Sequence, residues 1–266
     1  MLSNLHTHSV FCDGKNTLEE MVISAIEKGF CSLGFSGHAY TDFDLSYCMT
    51  DTDGYINEVL RLKEKYKKDI QIYLGTEEDS AYLVDRTKYD YIIGSSHYFN
   101  VNNKYLDVDL DYDSFKSALK VFGDDVLLLA ENYYSNFCEY INKRKPDIIG
   151  HFDLITKFDE LDTSLFLSNK EYNKLAEKYI TKAAESDSIF EVNTGAISRG
   201  YRTSAYPSEN LLHILKKNDS KITLSSDSHS ADSLDFRFDE TKLFLRDIGF
   251  KYLYTLFNGK FIKYEI

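Results

Sequence analysis

The residues best able to do chemistry in this chain are its histidines. There are seven in 266 residues, and they are placed very unevenly. Six stand at or just past the end of a short apolar run: His6 and His8 in His6-Thr-His8, His38 in Ser36-Gly-His38, His97 in Gly94-Ser-Ser-His97, His151 in Gly150-His151, and His229 in Asp227-Ser-His229. Imidazoles gathered with carboxylates, and without cysteine pairs, suit hard-to-borderline divalent ions such as Zn, Mn or Fe. Alternate residues of an extended chain face the same side, so His6 and His8 can share one ion. Asp227 and His229 repeat that spacing with a carboxylate first. A lone histidine at a strand end is usually structural, held by a hydrogen bond. Six at the ends of successive runs are not explained that way, and they predict a polynuclear metal site. His213 lies inside a helical pattern and reads as a surface or packing residue. Cys12, between His8 and Asp13, is a tempting extra ligand, but a small buried thiol is the better reading.

Such groups converge only if the elements beneath them bring distant parts of the chain to one face. Short runs rich in Ile, Val, Leu, Phe or Tyr cover 2–6, 32–36, 70–74, 91–94, 147–150, 188–192 and 221–224, as strands buried on both faces should. Amphipathic helical patterns lie between or after them at 55–66, 112–122, 126–142, 171–185, 208–215 and 240–248. Thr17-Leu-Glu-Glu20 reads as a capping box that starts an earlier helix, with Gly29 as its stop. Strand–helix alternation at this rhythm implies parallel strands joined by right-handed crossovers. No Gly/Ser linker, repeat or composition break divides the chain. The expectation is an α/β fold in one domain, residues 1–266, built as a (β/α) barrel of seven strands. An open doubly wound sheet is the alternative. In a parallel barrel the C-terminal strand ends share one face, where reactive groups collect. The third run is followed by Gly75-Thr-Glu77-Glu-Asp79, which brings carboxylates rather than a histidine to that face.

Composition narrows the partners. Forty-three acidic residues against 31 Lys and Arg leave a formal charge of −12, which repels a phosphate backbone and argues against nucleic acid. No stretch of about 18 apolar residues is present to span a membrane. The first residues lack the basic and apolar regions of a signal peptide. The four cysteines form no CxxC pair or disulfide framework. A cytoplasmic protein with reduced thiols is therefore expected. Nothing in the sequence speaks to oligomeric state.

Taken together, His6-Thr-His8-Ser9, Cys12-Asp13-Gly14, Ser36-Gly-His38, Gly75-Thr-Glu77-Glu-Asp79, Gly94-Ser-Ser-His97, Gly150-His-Phe-Asp153, Glu191-Val-Asn193 and Ser226-Asp-Ser-His229 resemble the PHP (polymerase and histidinol phosphatase) family of metal-dependent phosphoesterases. Within it, the resemblance is closest to the histidinol-phosphate phosphatases. The pieces run from residue 6 to 229 in the family's order. The resemblance implies a distorted (β/α)7 barrel with three divalent ions at the C-terminal ends of the strands. It implies His6, His8 and Asp227 on a first ion, and Glu77 bridging it to a second that His97 and His151 complete. Asp13, His38 and His229 would hold the third. Asp at position 13, where some relatives have His, is familiar in the histidinol-phosphatase branch. Three carboxylates against three divalent ions leave about three positive charges, which would draw an anionic substrate to an acidic chain. The implied activity is hydrolysis of L-histidinol phosphate to L-histidinol and phosphate, by attack of a metal-bridging hydroxide, with Glu77, Asp227 and His229 at the catalytic centre.

A phosphate dianion also needs a protein cation. Arg199, in Asn193-Thr-Gly-Ala-Ile-Ser-Arg199 past the sixth strand, is the best candidate, because a guanidinium suits bidentate phosphate contact. Lys157 ranks below it, and Arg202 below that. The amine and imidazole of histidinol would favour carboxylates or aromatic faces. Asp42, Phe43 and Asp79 lie on suitable loops, although a structural role is the better reading of each. Other readings keep the metals and change the chemistry. They are a phosphotyrosine phosphatase, an amidohydrolase-type barrel and a non-catalytic metal-binding protein. The amidohydrolase design commonly bridges its metals with a carboxylated lysine at the fourth strand, where this chain has His97.

Overall fold

Each of the seven apolar runs contains or overlaps a barrel strand, though the strand lengths range from two residues to nine. The structure is a computed structural model that describes residues 1–162 and 165–266. In chain order its elements are β1 (Ser3–Asn4), α1 (Leu18–Glu27), β2 (Ser32–Phe35), α2 (Thr52–Lys65), β3 (Gln71–Asp79), β4 (Tyr91–Ser95), β5 (Tyr98–Val101), β6 (Lys104–Asp107), α3 (Tyr112–Val121), α4 (Val126–Arg144), β7 (Ile148–Ile149), α5 (Lys170–Ala183), β8 (Ile189–Asn193), α6 (Gly195–Ser198), α7 (Glu209–Lys217), β9 (Ile222–Ser225), α8 (Phe238–Ile248), β10 (Tyr252–Phe257) and β11 (Lys260–Glu265). Seven of the strands form one parallel sheet in the order β1-β2-β3-β4-β7-β8-β9. Its two edges then meet. His8 N donates to Ser228 O at 2.8 Å and Ser228 N to His6 O at 3.2 Å. The sheet is thus a nearly closed (β/α) barrel and not an open doubly wound sheet.

Local sequence explains the elements. Thr17 caps α1 by accepting from Glu20 N at 3.2 Å, and Glu20 Oε2 accepts from Thr17 N at 2.8 Å. Gly29, at φ +78°, ends that helix in the left-handed region. In α4, Leu129, Tyr133, Phe137 and Ile141 recur at helical spacing and are fully buried. Each such side chain contributes about 1.5–3 kcal/mol of burial. Inside the barrel, Tyr91 fills the space left by two glycines. A Cβ on Gly75 would lie 2.3 Å from its ring, and one on Gly34 2.2 Å from its hydroxyl. Leu5, Ile148, Ile189 and Leu256 pack around it, so the β10–β11 hairpin plugs the N-terminal end and leaves the C-terminal mouth open to chemistry.

Two expectations change. The third strand runs on to Asp79, because its first half pairs with β2 (Ser32↔Gln71 to Phe35↔Leu74) and its second with β4 (Gly75↔Tyr91 to Asp79↔Ser95). Glu77 and Asp79 therefore sit on a strand and not past its end. The β5–β6 and β10–β11 hairpins were not foreseen. Their strands are half exposed, and although Tyr252–Phe257 is rich in aromatic and aliphatic residues, β5, β6 and β11 are broken by polar ones. The signal for the first was Asn102-Asn103, which adopt φ +52° and +63° as a two-residue hairpin turn requires.

Candidate metal centre

Nine side chains meet at the C-terminal mouth. His6 and His8 leave β1 with their rings 5.1 Å apart on the same side. His38 lies beside Glu77 across the β2–β3 bridge. His97 follows β4, His151 follows β7, and Asp227 and His229 follow β9, while Asp13 comes from the loop after β1. Their ligand atoms fall into four overlapping sets, each with all members within 4.8 Å of one another. The sets are His8–Asp13–His38–His229, His6–Glu77–His151, His6–His8–Asp227 and His38–Glu77–His97. Glu77 is the hub: its carboxylate oxygens lie 3.1 Å from His6 Nε2, 2.9 Å from His38 Nδ1, 3.5 Å from His97 Nε2 and 2.9 Å from His151 Nε2.

This donor set fits divalent ions. His6 Nε2, His8 Nε2 and Glu77 Oε2 are buried but take part in no aligned hydrogen bond, although buried polar atoms almost always have one. Six imidazoles and three carboxylates converging in overlapping threes and fours are what borderline cations require.

The electrostatics agree with a functional cluster. Burial pushes the Glu77 carboxyl up, but His6, His38, His97 and His151 outweigh it and hold the group well below the usual carboxylate range. Asp227 is likewise held down against burial by Arg199, His6 and His8. Burial lowers His6, yet Glu191, Glu77 and Asp227 raise it well above the ordinary histidine value. His8 goes the other way, to about 3, through burial and the neighbouring His229 and His38. Opposed shifts among touching groups mark functional sites. Imidazoles must be neutral to ligate, so ion binding competes with protons here.

A supporting layer fixes the donors. Glu191 Oε1 lies 2.5 Å from His6 Nδ1, which leaves Nε2 to face the cluster. Asp79 Oδ2 accepts from the backbone of His97 and Tyr98 at 3.0 and 3.1 Å and lies 3.5 Å from His97 Nδ1. Asp79 is therefore a structural residue. Asp227 adopts φ +47°, and only Gly195 fits beside it, since a Cβ there would lie 2.8 Å from the Asp227 Cβ. Glu191 and Gly195 had no assigned role in the sequence, where one is part of a short motif and the other an ordinary turn glycine.

Arg199, Lys157, His38, His97, Asp227 and His229 are among the residues lining a cavity of about 220 Å³ over the cluster. Arg199 is more than a free phosphate clamp. Its guanidinium donates to Asp227 O at 2.9 Å and to Asp227 Oδ2 at 3.0 Å, and it lies 3.1 Å from His229 Nδ1. Lys157 Nζ is tied to Asp109 Oδ2 at 3.2 Å. Arg202 is buried behind the wall, donating to Thr156 Oγ1 at 2.7 Å. Asp42 is not brought to the site. It is exposed and outside the lining, because the turn that starts with Thr41 Oγ1 donating to Asp44 O carries it to the surface. Asp107 and Asp109 of the unforeseen hairpin region line the cavity instead. Cys12 Sγ lies 3.5 Å from His8 Nδ1, and burial pushes its thiol pKa up. It belongs to none of the four donor sets. His213 is exposed on α7, 3.8 Å from Glu209.

A (β/α) barrel of seven strands with imidazoles and carboxylates gathered at its mouth is the framework of a metal-dependent hydrolase. The PHP domain profile matches residues 4–195, and the chain belongs to that family. It is 31% identical to a protein of Schizosaccharomyces pombe named "Probable histidinol-phosphatase", over 96% of this chain and 89% of that one. It is 26% identical to the histidinol-phosphatase of Bacillus subtilis, over 88% and 96%. The fold matches the crystal structure of histidinol phosphate phosphatase from Lactococcus lactis with a TM-score of 0.72 at 20% identity, covering 98% of both chains. That protein was crystallised with zinc, L-histidinol and phosphate. No helix among the described residues is long and apolar enough to cross a membrane.

Proposed function

We propose that this protein hydrolyses L-histidinol phosphate to L-histidinol and phosphate using divalent metal ions, three per chain, drawn from zinc, manganese or iron. The observation that carries this is the convergence of nine donors in four overlapping sets around Glu77, beneath a cavity that also presents Arg199 and Lys157. His6, His8 and Asp227 would hold one ion, Glu77 would be shared with a second held by His97 and His151, and Asp13, His38 and His229 would hold a third. Bound there, the ions neutralise phosphoryl oxygens and lower the pKa of water toward neutrality.

The chain's own residues do the positioning. Glu191 keeps His6 Nδ1 protonated and its Nε2 lone pair toward the cluster. Arg199 anchors Asp227 and adds fixed positive charge beside the cavity, where a phosphate dianion is bound. Lys157, buried and held by Asp109, contributes a second positive charge to the cavity lining. Phosphoryl transfer depends mainly on such placement and charge.

The test is phosphate release from histidinol phosphate, phosphotyrosine and a short oligonucleotide, with chelation and add-back of each metal. The expected result is turnover of histidinol phosphate above the others, loss on chelation, recovery on add-back, and about three ions per chain by elemental analysis. Full turnover by the chelated chain, or faster release from phosphotyrosine, would overturn the proposal.

A further inference from the structure

Another part of the cavity lining carries a different chemistry. It is supplied by the β5–β6 hairpin, which leaves the chain directly after His97 and is tied back to it by Val108 N donating to His97 O at 3.1 Å. The hairpin presents Asp107 at the end of β6, opposite Tyr98 in the strand register. The Tyr98 ring stacks with that of Tyr47 at 5.9 Å and 21°. All three residues line the cavity.

Asp107 is used on one side only. Its Oδ1 accepts from Asp109 N and Leu110 N, both at 2.8 Å. Its Oδ2 is shielded from solvent and has no hydrogen-bond partner. The neighbouring Asp109 is engaged by Lys157, so the uncompensated oxygen on this wall belongs to Asp107. Burial and the Asp109 charge raise the Asp107 carboxyl to about 6, a cost that a bound cation would remove. A carboxylate oxygen without a donor, beside two phenol rings, is suited to an ammonium or imidazolium group.

We propose that Asp107 is the specificity-determining residue that receives the cationic amine of the leaving alcohol, with Tyr47 and Tyr98 as the aromatic wall beside it. The cavity is then bipolar: the phosphoryl end faces the metal ligands and Arg199, and the amine end faces the hairpin. This inference rests on the phosphatase reading above and adds how that enzyme selects an amino alcohol ester over other phosphate monoesters.

The experiment uses the metal-loaded protein and the variant Asp107→Asn. Asparagine retains an oxygen for Asp109 N and Leu110 N, removes the charge and puts an NH2 donor where the free Oδ2 acceptor stood. A matching thermal melt and metal content establish that the variant is folded and loaded. Two quantities are then compared with wild type. One is the preference for histidinol phosphate over p-nitrophenyl phosphate, as a ratio of kcat/KM. The other is the Kd of L-histidinol by calorimetry. A charge-assisted contact predicts that the preference falls about tenfold or more and that L-histidinol binding weakens to a similar degree. A variant that keeps the wild-type preference and Kd refutes the role of Asp107 and leaves the phosphatase reading standing. A wild-type protein that hydrolyses p-nitrophenyl phosphate but not histidinol phosphate takes down both.

Discussion

Glu191→Gln isolates what the layer behind the cluster contributes. Glu191 is fully buried, and every donor around it points inward. Its Oε1 receives His6 Nδ1 at 2.5 Å together with the Ser225 hydroxyl, and its Oε2 receives His151 N at 2.8 Å and Asn193 Nδ2 at 3.0 Å. A glutamine has one acceptor oxygen in place of two. If that oxygen stays on His6, the new NH2 group faces two donors. Each buried donor left without an acceptor costs about 1–3 kcal/mol, so the folded chain loses about 2–6 kcal/mol. Asn193 cannot simply turn its amide, because its Oδ1 accepts from Gly195 N at 2.8 Å. If the glutamine flips instead, its NH2 forces His6 to accept at Nδ1 and carry its proton on Nε2. That nitrogen faces Glu77 and Asp227 and can no longer ligate. Either outcome weakens metal binding about 10–100-fold, the usual effect of removing such a partner. The assay is chelator competition for zinc alongside urea unfolding of the metal-free chain. Wild-type zinc affinity combined with a stability change under about 0.5 kcal/mol would refute the reasoning.

Three further outcomes follow from the same geometry. Arg144→Ala strips the fully buried Glu78 of its bidentate partner, at 2.8 and 2.7 Å. It should cost about 3 kcal/mol in urea unfolding, and a loss below about 1 would show that the other donors to Glu78, the Tyr140 hydroxyl at 2.7 Å and Val84 N at 2.8 Å, suffice. Burial lowers His97, but Glu77 and Asp109 outweigh it and raise the imidazole to about 9. The metal-free side chain is then protonated at neutral pH and must lose that proton to ligate. Zinc affinity should therefore climb between pH 6 and 9, and a flat profile would contradict the assignment. Thr17→Ala removes half of the α1 capping box and should lower the melting temperature by about 2–4 °C with turnover unchanged. Altered turnover would mean that α1 reaches the site in a way the structure does not show.

The sequence by itself determined the site's inventory. His6, His8, His38, His97, His151, Asp227 and His229 are legible because a parallel barrel puts every C-terminal strand end on one face. Position along the chain is then enough to predict that they meet. The seven strands were legible for the related reason that strands buried on both faces must be continuously apolar. Only the tertiary structure decided how the donors are oriented and screened. That Glu77 is the hub follows from β3 running past its apolar run to pair with β4, a register that no local pattern encodes. The tie between Arg199 and Asp227, the grip of Glu191 on His6 and the fit of Gly195 against Asp227 join residues from different strands and loops, whose distances depend on barrel closure. Asp42 misled because a polar loop residue looks the same in sequence whether it faces solvent or substrate. Asp107 was overlooked because half-exposed hairpin strands carry a weak pattern, and only the folded hairpin sets its carboxylate against the cavity.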